Sequence, residues 1–347
     1  MFFALQTTAQ SSTNPEIYLQ RYQDAISKGD NTTAFQSILQ WYNDTHSFES
    51  AIILAGLFIE GNGIEQNIEN AAILYKSVAD ATQYDPNNEN ALIMIGFSAR
   101  QYALMDYNLK GYFSPEAISY LKKADEISED AMALYFLGII YIGDEDLSVL
   151  FPNSEKKDIE KGLMYLKKSA QRNCIAALTE LGDLYDQYGE KDLAFECWEK
   201  ASRIPLIEAT PNTSDALSYL VNPNNSAEMM TILAQNEAFY RLSRYYSDMN
   251  DIDHAYELAE KITVEDPIYI DQKAFCYAAN GQKQKAIDTY MHEYEISKDT
   301  SALARLAITH YTLWNDKDEA IRLLQYIMSL GDTKAQTIID MINSGEY

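Results

Sequence analysis

The chain has 347 residues, 47% of them hydrophobic, with only eight prolines and fourteen glycines. That is enough apolar side chain for one large core or a longer stacked array, and too little proline and glycine for long disordered tracts. The 52 acidic and 27 basic side chains leave a formal charge of −25, which argues against nucleic acid and anionic membrane surfaces and for a basic or apolar protein surface.

Residues 1–15 read as a disordered N-terminus or a signal remnant. MFFALQTTAQSSTNPE looks like the latter half of a secretory signal, with cleavage after Ala9, although the basic start is missing. This pattern favours a periplasmic over a cytoplasmic location. No apolar run reaches the roughly 18 residues of a membrane span, so no membrane insertion is expected.

From residue 16 to 202 the chain reads as paired helices. Tyr18, Tyr22, Ala25 and Ile26 form one stripe, Ser27 to Asp30 a turn, and Ala34, Ile38, Leu39 and Tyr42 a second stripe, which together read as a capping repeat. Ala51, Ala55, Gly56 and Ile59 start the next pair, Gly61 and Gly63 turn it, and Ala71, Tyr75 and Ala79 close it. Two further units follow, led by Gly96 and Gly138, with longer and irregular loops expected after Gly96 and Gly143. The clearest unit is ALTELGDLYDQYGEKDLAFECWEKAS. There Ala177, Leu181, Gly182 and Tyr185 share one face, Gly189 ends the helix, and Ala194, Cys197, Trp198 and Ala201 share the next. The leading glycines Gly56, Gly96, Gly138 and Gly182 are spaced 40, 42 and 44 residues apart, a period that marks an α-solenoid.

The pattern A-x-x-x-L-G-x-x-Y, a glycine loop, then A-x-x-W/Y-x-x-x-A resembles the Sel-one-like repeat, a relative of the tetratricopeptide repeat. AGLFIEGNGIEQNIENAAILYKSVAD carries the likeness most fully, apart from Ala55 where leucine is usual. The resemblance implies tandem helical hairpins and a protein-binding role. It also implies a bacterial envelope setting, where members help assemble secretion or polysaccharide machinery.

Residues 203–226 hold three of the eight prolines and read as an insertion or hinge. Residues 227–347 read as a second, tetratricopeptide-like array with a capping helix. Its landmark tyrosines, Tyr246, Tyr277 and Tyr311, lie 31 and 34 apart. The fold expected is therefore an all-α superhelical solenoid of seven or eight tandem hairpins.

Catalytic patterns are absent. His46, His254, His292 and His310 are scattered, no GxxxxGK or GxSxG occurs, and Gly61-Asn62-Gly63 reads as a turn. Asp248 to Asp253 lacks the glycine and glutamate of a calcium loop. Cys174, Cys197 and Cys276 show no metal spacing and read as small buried hydrophobes. No catalytic, cofactor or metal site is expected. The cluster Lys156, Lys157, Lys161, Lys167, Lys168 and Arg172 reads as a salt-bridged outer face.

The remaining signal lies in the first helix of each hairpin, which lines the concave face in tetratricopeptide-like folds. The groove positions are Ile53 and Leu57, Ile93 and Phe97, Tyr135 and Ile139, Thr179 and Asp183, and then Tyr240 and Arg244. Three consecutive repeats place apolar residues there, and exposed apolar grooves mark binding surfaces. Phe97 is expected to point into the groove, largely exposed, beside Leu57 and Ile139. The function expected is a non-enzymatic adaptor or scaffold that takes a helix, a peptide or a basic protein surface. An immunity or regulatory protein wrapping a basic partner is one alternative. A cell-wall-related hydrolase or glycan-binding protein is another, although the relatives proposed for such roles are rich in paired cysteines.

Overall fold

The structure, a computed structural model, describes residues 14–143, 158–206 and 226–346. Seventeen helices and no strands are found among these residues. The expected all-α array of hairpins is therefore what the chain forms. The signal remnant and nearly all of the 203–226 insertion lie outside the described residues, as do Lys156, Lys157 and the loop after Gly143. Two compact units divide the chain: residues 1–197 with 203–232, and residues 198–202 with 233–347.

In the first unit, α1 (Pro15–Ser27) pairs with α2 (Asn31–Thr45), α3 (Phe48–Glu60) with α4 (Ile68–Ala79), α5 (Glu89–Lys110) with α6 (Pro115–Ser128), and α7 (Ala131–Ile142) with α8 (Ile159–Gln171). Helix α9 (Ile175–Gln187) follows and turns at Gly189 into α10 (Lys191–Arg203). The starts are set by side chains that accept hydrogen bonds from first-turn amides: Asn14, Asp30, Ser47, Asn67, Asn88, Ser114, Asp130 and Asp158. Each such cap contributes about 0.5–2 kcal/mol. One sequence expectation is corrected here. After Gly96 the chain does not loop but stays helical to Lys110, because QYALMDYNLK has no breaker before Gly111, whose φ of 76° ends the helix.

Small residues set the closest helix approach. A Cβ at Gly138 of α7 would lie 2.6 Å from Leu166 of α8, and one at Gly162 of α8 would lie 2.8 Å from the Gly138 carbonyl oxygen. The two backbones touch where both side chains are missing. At Gly56, by contrast, a Cβ would meet nothing within 4 Å.

The buried ion pair of this unit joins α5 to the start of α7. Arg100 Nε donates to Asp130 Oδ2 at 2.8 Å, and the two side chains are 1% and 4% exposed. Asp130 Oδ1 meanwhile accepts from the Ala133 amide at 2.9 Å, capping α7. On the outer face, Lys168 of α8 and Arg172, which caps its C-terminus, both pair with Asp125 of α6, at 2.7 and 2.6 Å, and Lys161 Nζ sits 3.9 Å from the centre of the Tyr141 ring. Of the cluster expected to be salt-bridged, Lys168 and Arg172 are paired in this way, with Asp125 as their shared carboxylate.

In the second unit, α11 (Ser226–Asp248), which belongs to it from residue 233 on, precedes α12 (Ile252–Glu260), α13 (Pro267–Ala279) pairs with α14 (Lys283–Ser297), and α15 (Thr300–Thr312) with α16 (Lys317–Ser329). Helix α17 (Ala335–Ser344) follows, burying Ala335, Ile339 and Ile342 against α16. Ser243 Oγ ties α11 to α12 by donating to the Ala255 carbonyl at 2.8 Å. Small residues recur at the crossings: Ala238, Ala255, Ala274, Ala286, Ala307 and Ala320 have no exposed surface.

Candidate functional site

The groove positions behave differently in the two units. In the first, Ile53, Leu57 and Phe97 are buried, at 2%, 4% and 6% exposure, while Ile93, Tyr135, Ile139 and Asp183 are half-buried. The expectation of a largely exposed Phe97 is therefore corrected. Its ring packs edge-on to Tyr75 with centroids 6.0 Å apart, and the Arg100 guanidinium lies 5.3 Å from its centre. The reason is visible in α3, where Ile52, Ile53, Leu54 and Ala55 are all at or below 2% exposure. A helix apolar on every side is buried on every side, and neighbours α2, α4 and α5 cover it.

In the second unit Tyr240 is likewise buried, at 8% exposure, whereas Arg244 is exposed and a cavity opens beside the two. Tyr240, Arg244, Ser247 and Asp248 of α11, Ile268, Asp271, Gln272 and Phe275 of α13, Tyr290 of α14, and Arg305, Ile308, Thr309, Thr312 and Leu313 of α15 enclose a cavity of about 470 Å³. This size suits a few side chains of a peptide or one small molecule. The lining is mixed: aromatic and aliphatic carbon beside two arginines and two aspartates.

Its electrostatics centre on Arg305. The Nε atom lies 2.6 Å from Asp271 Oδ1, a close ion pair off the hydrogen-bond axis, and Nη2 donates to Glu293 Oε1. Glu293 is 3% exposed, and its second carboxylate oxygen has no hydrogen-bond partner. Burial raises the Glu293 pKa against the pull of Arg305, and burial likewise raises that of Asp271 against Arg305 and Arg244. Burial works against the Arg305 charge too, but Glu293 and Asp271 more than offset it and its pKa moves up. Tyr290, 2% exposed at the cavity floor, has its hydroxyl pushed up to about 12 by burial and sits 3.4 Å from Thr309 Oγ.

Arg244 contrasts with Arg305. It is exposed, its Nη1 donates to the Tyr240 hydroxyl at 3.3 Å, and no carboxylate among the described residues lies within 4.0 Å of it. Gln272 is turned inward, its Nε2 donating to Ser243 Oγ and Ser247 Oγ, both at 3.0 Å.

Of the ten groove positions, only Tyr240 and Arg244 line this cavity. Their partners were within reach of the sequence. The 31- and 34-residue spacings of Tyr246, Tyr277 and Tyr311, applied to Tyr240, lead to Asp271 and Arg305, and applied to Arg244 they lead to Phe275 and Thr309. Glu293 and Tyr290 come from a second helix, α14, and no groove register points to them. Among the described residues no cluster of His, Cys, Asp and Glu is arranged to hold a metal ion, and no helix is long and apolar enough to cross a membrane.

No family model matches the chain, and no curated protein does. Solved structures do. In fold, the chain is like Sel1 repeat proteins and tetratricopeptide-type solenoids. A Sel1 repeat protein from Oxalobacter formigenes matches at 13% identity and a TM-score of 0.43, over 99% of this chain and 98% of that one. A protective antigen of uropathogenic Escherichia coli with an SLR fold matches at 15% identity and a TM-score of 0.42, over 96% and 75%. Yeast Tom70 matches at 15% identity and 0.30, over 97% and 90%.

Proposed function

We propose that the protein is a non-enzymatic adaptor that holds a peptide segment of a partner protein in the groove of its second unit. One observation carries this reading: three successive first helices, α11, α13 and α15, present Tyr240, Arg244, Asp271, Phe275 and Ile308 around an open cavity of about 470 Å³. The half-buried Phe275 and Ile308 supply apolar surface, and the charged groups supply register. The half-buried Tyr135 and Ile139 of the first unit offer at most a smaller subsidiary contact. A role in assembling an envelope or secretion complex is the finer form of the proposal, supported by the apolar start MFFALQTTA.

The charge of −25 favours a partner with a basic surface, and so keeps an immunity or regulatory role as a second reading. Affinity purification of the full chain, side by side with Phe275→Ala, tests the proposal. A stoichiometric protein lost from the variant at unchanged melting temperature supports it. Equal recovery on both chains, or turnover of a glycan with no protein partner, overturns it.

A further inference from the structure

We infer that the groove selects its partner through one acidic side chain, seated on Arg244 in an extended internal segment, next to an apolar side chain that enters beside Phe275 and Ile308. This rests on the peptide-groove reading above and adds the chemistry of the ligand.

The two arginines of the cavity are not equivalent. Arg305 already faces two carboxylates, Asp271 at 2.6 Å and the buried Glu293, so an incoming anion would have to displace one of them and leave it without its cation. Arg244 has only a tyrosine hydroxyl at 3.3 Å. A guanidinium is a planar fork with five N–H donors and binds a carboxylate through two parallel bonds. Most of that capacity is unused on Arg244, and the side chain is exposed to receive a ligand. The Tyr240 ring beneath it, 5.9 Å from the guanidinium carbon, limits where the fork can go.

The surroundings limit the ligand further. Asp248 and Asp271 flank Arg244, so a second anion next to the first meets repulsion, and a run of acidic residues is excluded. A chain end would need extra donors, and polar side chains of the lining are committed: Gln272 donates to Ser243 and Ser247, and Thr309 Oγ faces Tyr290. One side-chain carboxylate among neutral or basic neighbours fits. Phe275 and Thr309 occupy the same register as Arg244 on the next two helices, and Ile308 adjoins Thr309. An apolar residue close in sequence to the acidic one therefore lands on them.

The test is an array of dodecapeptides with six randomised central positions, each sequence presented both with blocked termini and with a free C-terminus, probed with the full chain. The best sequences are then remeasured in solution by fluorescence anisotropy. Retained peptides should carry one Glu or Asp within two or three residues of Leu, Ile, Met or Phe. Changing that Glu to Gln should weaken binding at least tenfold. The Arg244→Gln chain should bind both peptides equally at an unchanged melting temperature, and Arg244→Lys should keep part of the preference. Acidic selection that survives Arg244→Gln, selection for lysine instead, or binding only of peptides with a free C-terminus overturns the inference while leaving the groove in place. Retention of no peptide, or retention indifferent to both Arg244→Gln and Phe275→Ala, overturns the groove reading as well.

Discussion

Arg305, on the wall of the cavity, is paired with Glu293, a carboxylate only 3% exposed. Burying the Glu293 charge costs much of what its attraction to Arg305 returns. Removing the cation alone leaves a buried, unpaired carboxylate. Arg305→Met should therefore cost about 3 kcal/mol, the low end of the range for broken buried pairs because Arg305 is itself a third exposed. The double variant Arg305→Met with Glu293→Gln should recover most of it. Urea denaturation of the three chains measures both, and an unaltered single variant would show that Glu293 is already neutral in the native state.

Phe97 has become a stability residue. Its 6% exposure and its contact with Tyr75 place it in the core, so Phe97→Ala should cost about 3–5 kcal/mol through lost burial and the cavity left behind. Affinity per folded molecule should stay the same. The denaturation midpoint and a binding isotherm on the same sample check the two halves of this statement.

The leading glycines should part company on substitution. Gly138→Ala drives a methyl group to 2.6 Å from Leu166, a side chain with no exposed surface, and should destabilise by about 1–3 kcal/mol through overpacking. Gly56→Ala meets nothing and sits inside α3, so it should stabilise by about 0.5–1 kcal/mol by restricting the unfolded chain and favouring helix. Melting temperatures moving in opposite directions are the expected result.

His310 supplies a pH dependence of known sign. Burial lowers its pKa below 6.5, with Lys283 acting the same way and the bond to Asp316, 3.2 Å away, opposing. The folded protein therefore binds this proton less readily than the unfolded chain. The resulting stability is present above the unfolded value of 6.5 and is lost as pH falls through the lower folded value. Between pH 7.5 and 5.5 the wild-type chain should lose melting temperature faster than His310→Gln. Parallel curves would mean that His310 titrates alike in both states.

The hairpins were legible because their cause is local. The alanine and glycine stripes recur at helical spacing within each unit and mark the faces that cross. The binding face of the first unit was misread for a physical reason. Apolar residues at groove positions suggest a docking surface only if the helix also has a polar side, and α3 has none at Ile52 to Ala55. In the second unit the spacing of Tyr246, Tyr277 and Tyr311 already contained the lining. What no spacing contains is the reach of Arg305 to Glu293 on a neighbouring helix, which depends on how α14 and α15 rotate against each other.

Asp130 can cap α7 and neutralise Arg100 at once only while the start of α7 stays within reach of the middle of α5. The first turn of the fourth hairpin and the middle of the third are thus chained to the same carboxylate. Fraying one exposes the other, and neither gains by opening alone. In an array where each repeat touches only its neighbours, this concentrates coupling at one junction, and hairpins three and four should open as a single foldon. Hydrogen exchange would register it as one common opening free energy, shared by the Ala133 amide and the central turns of α5.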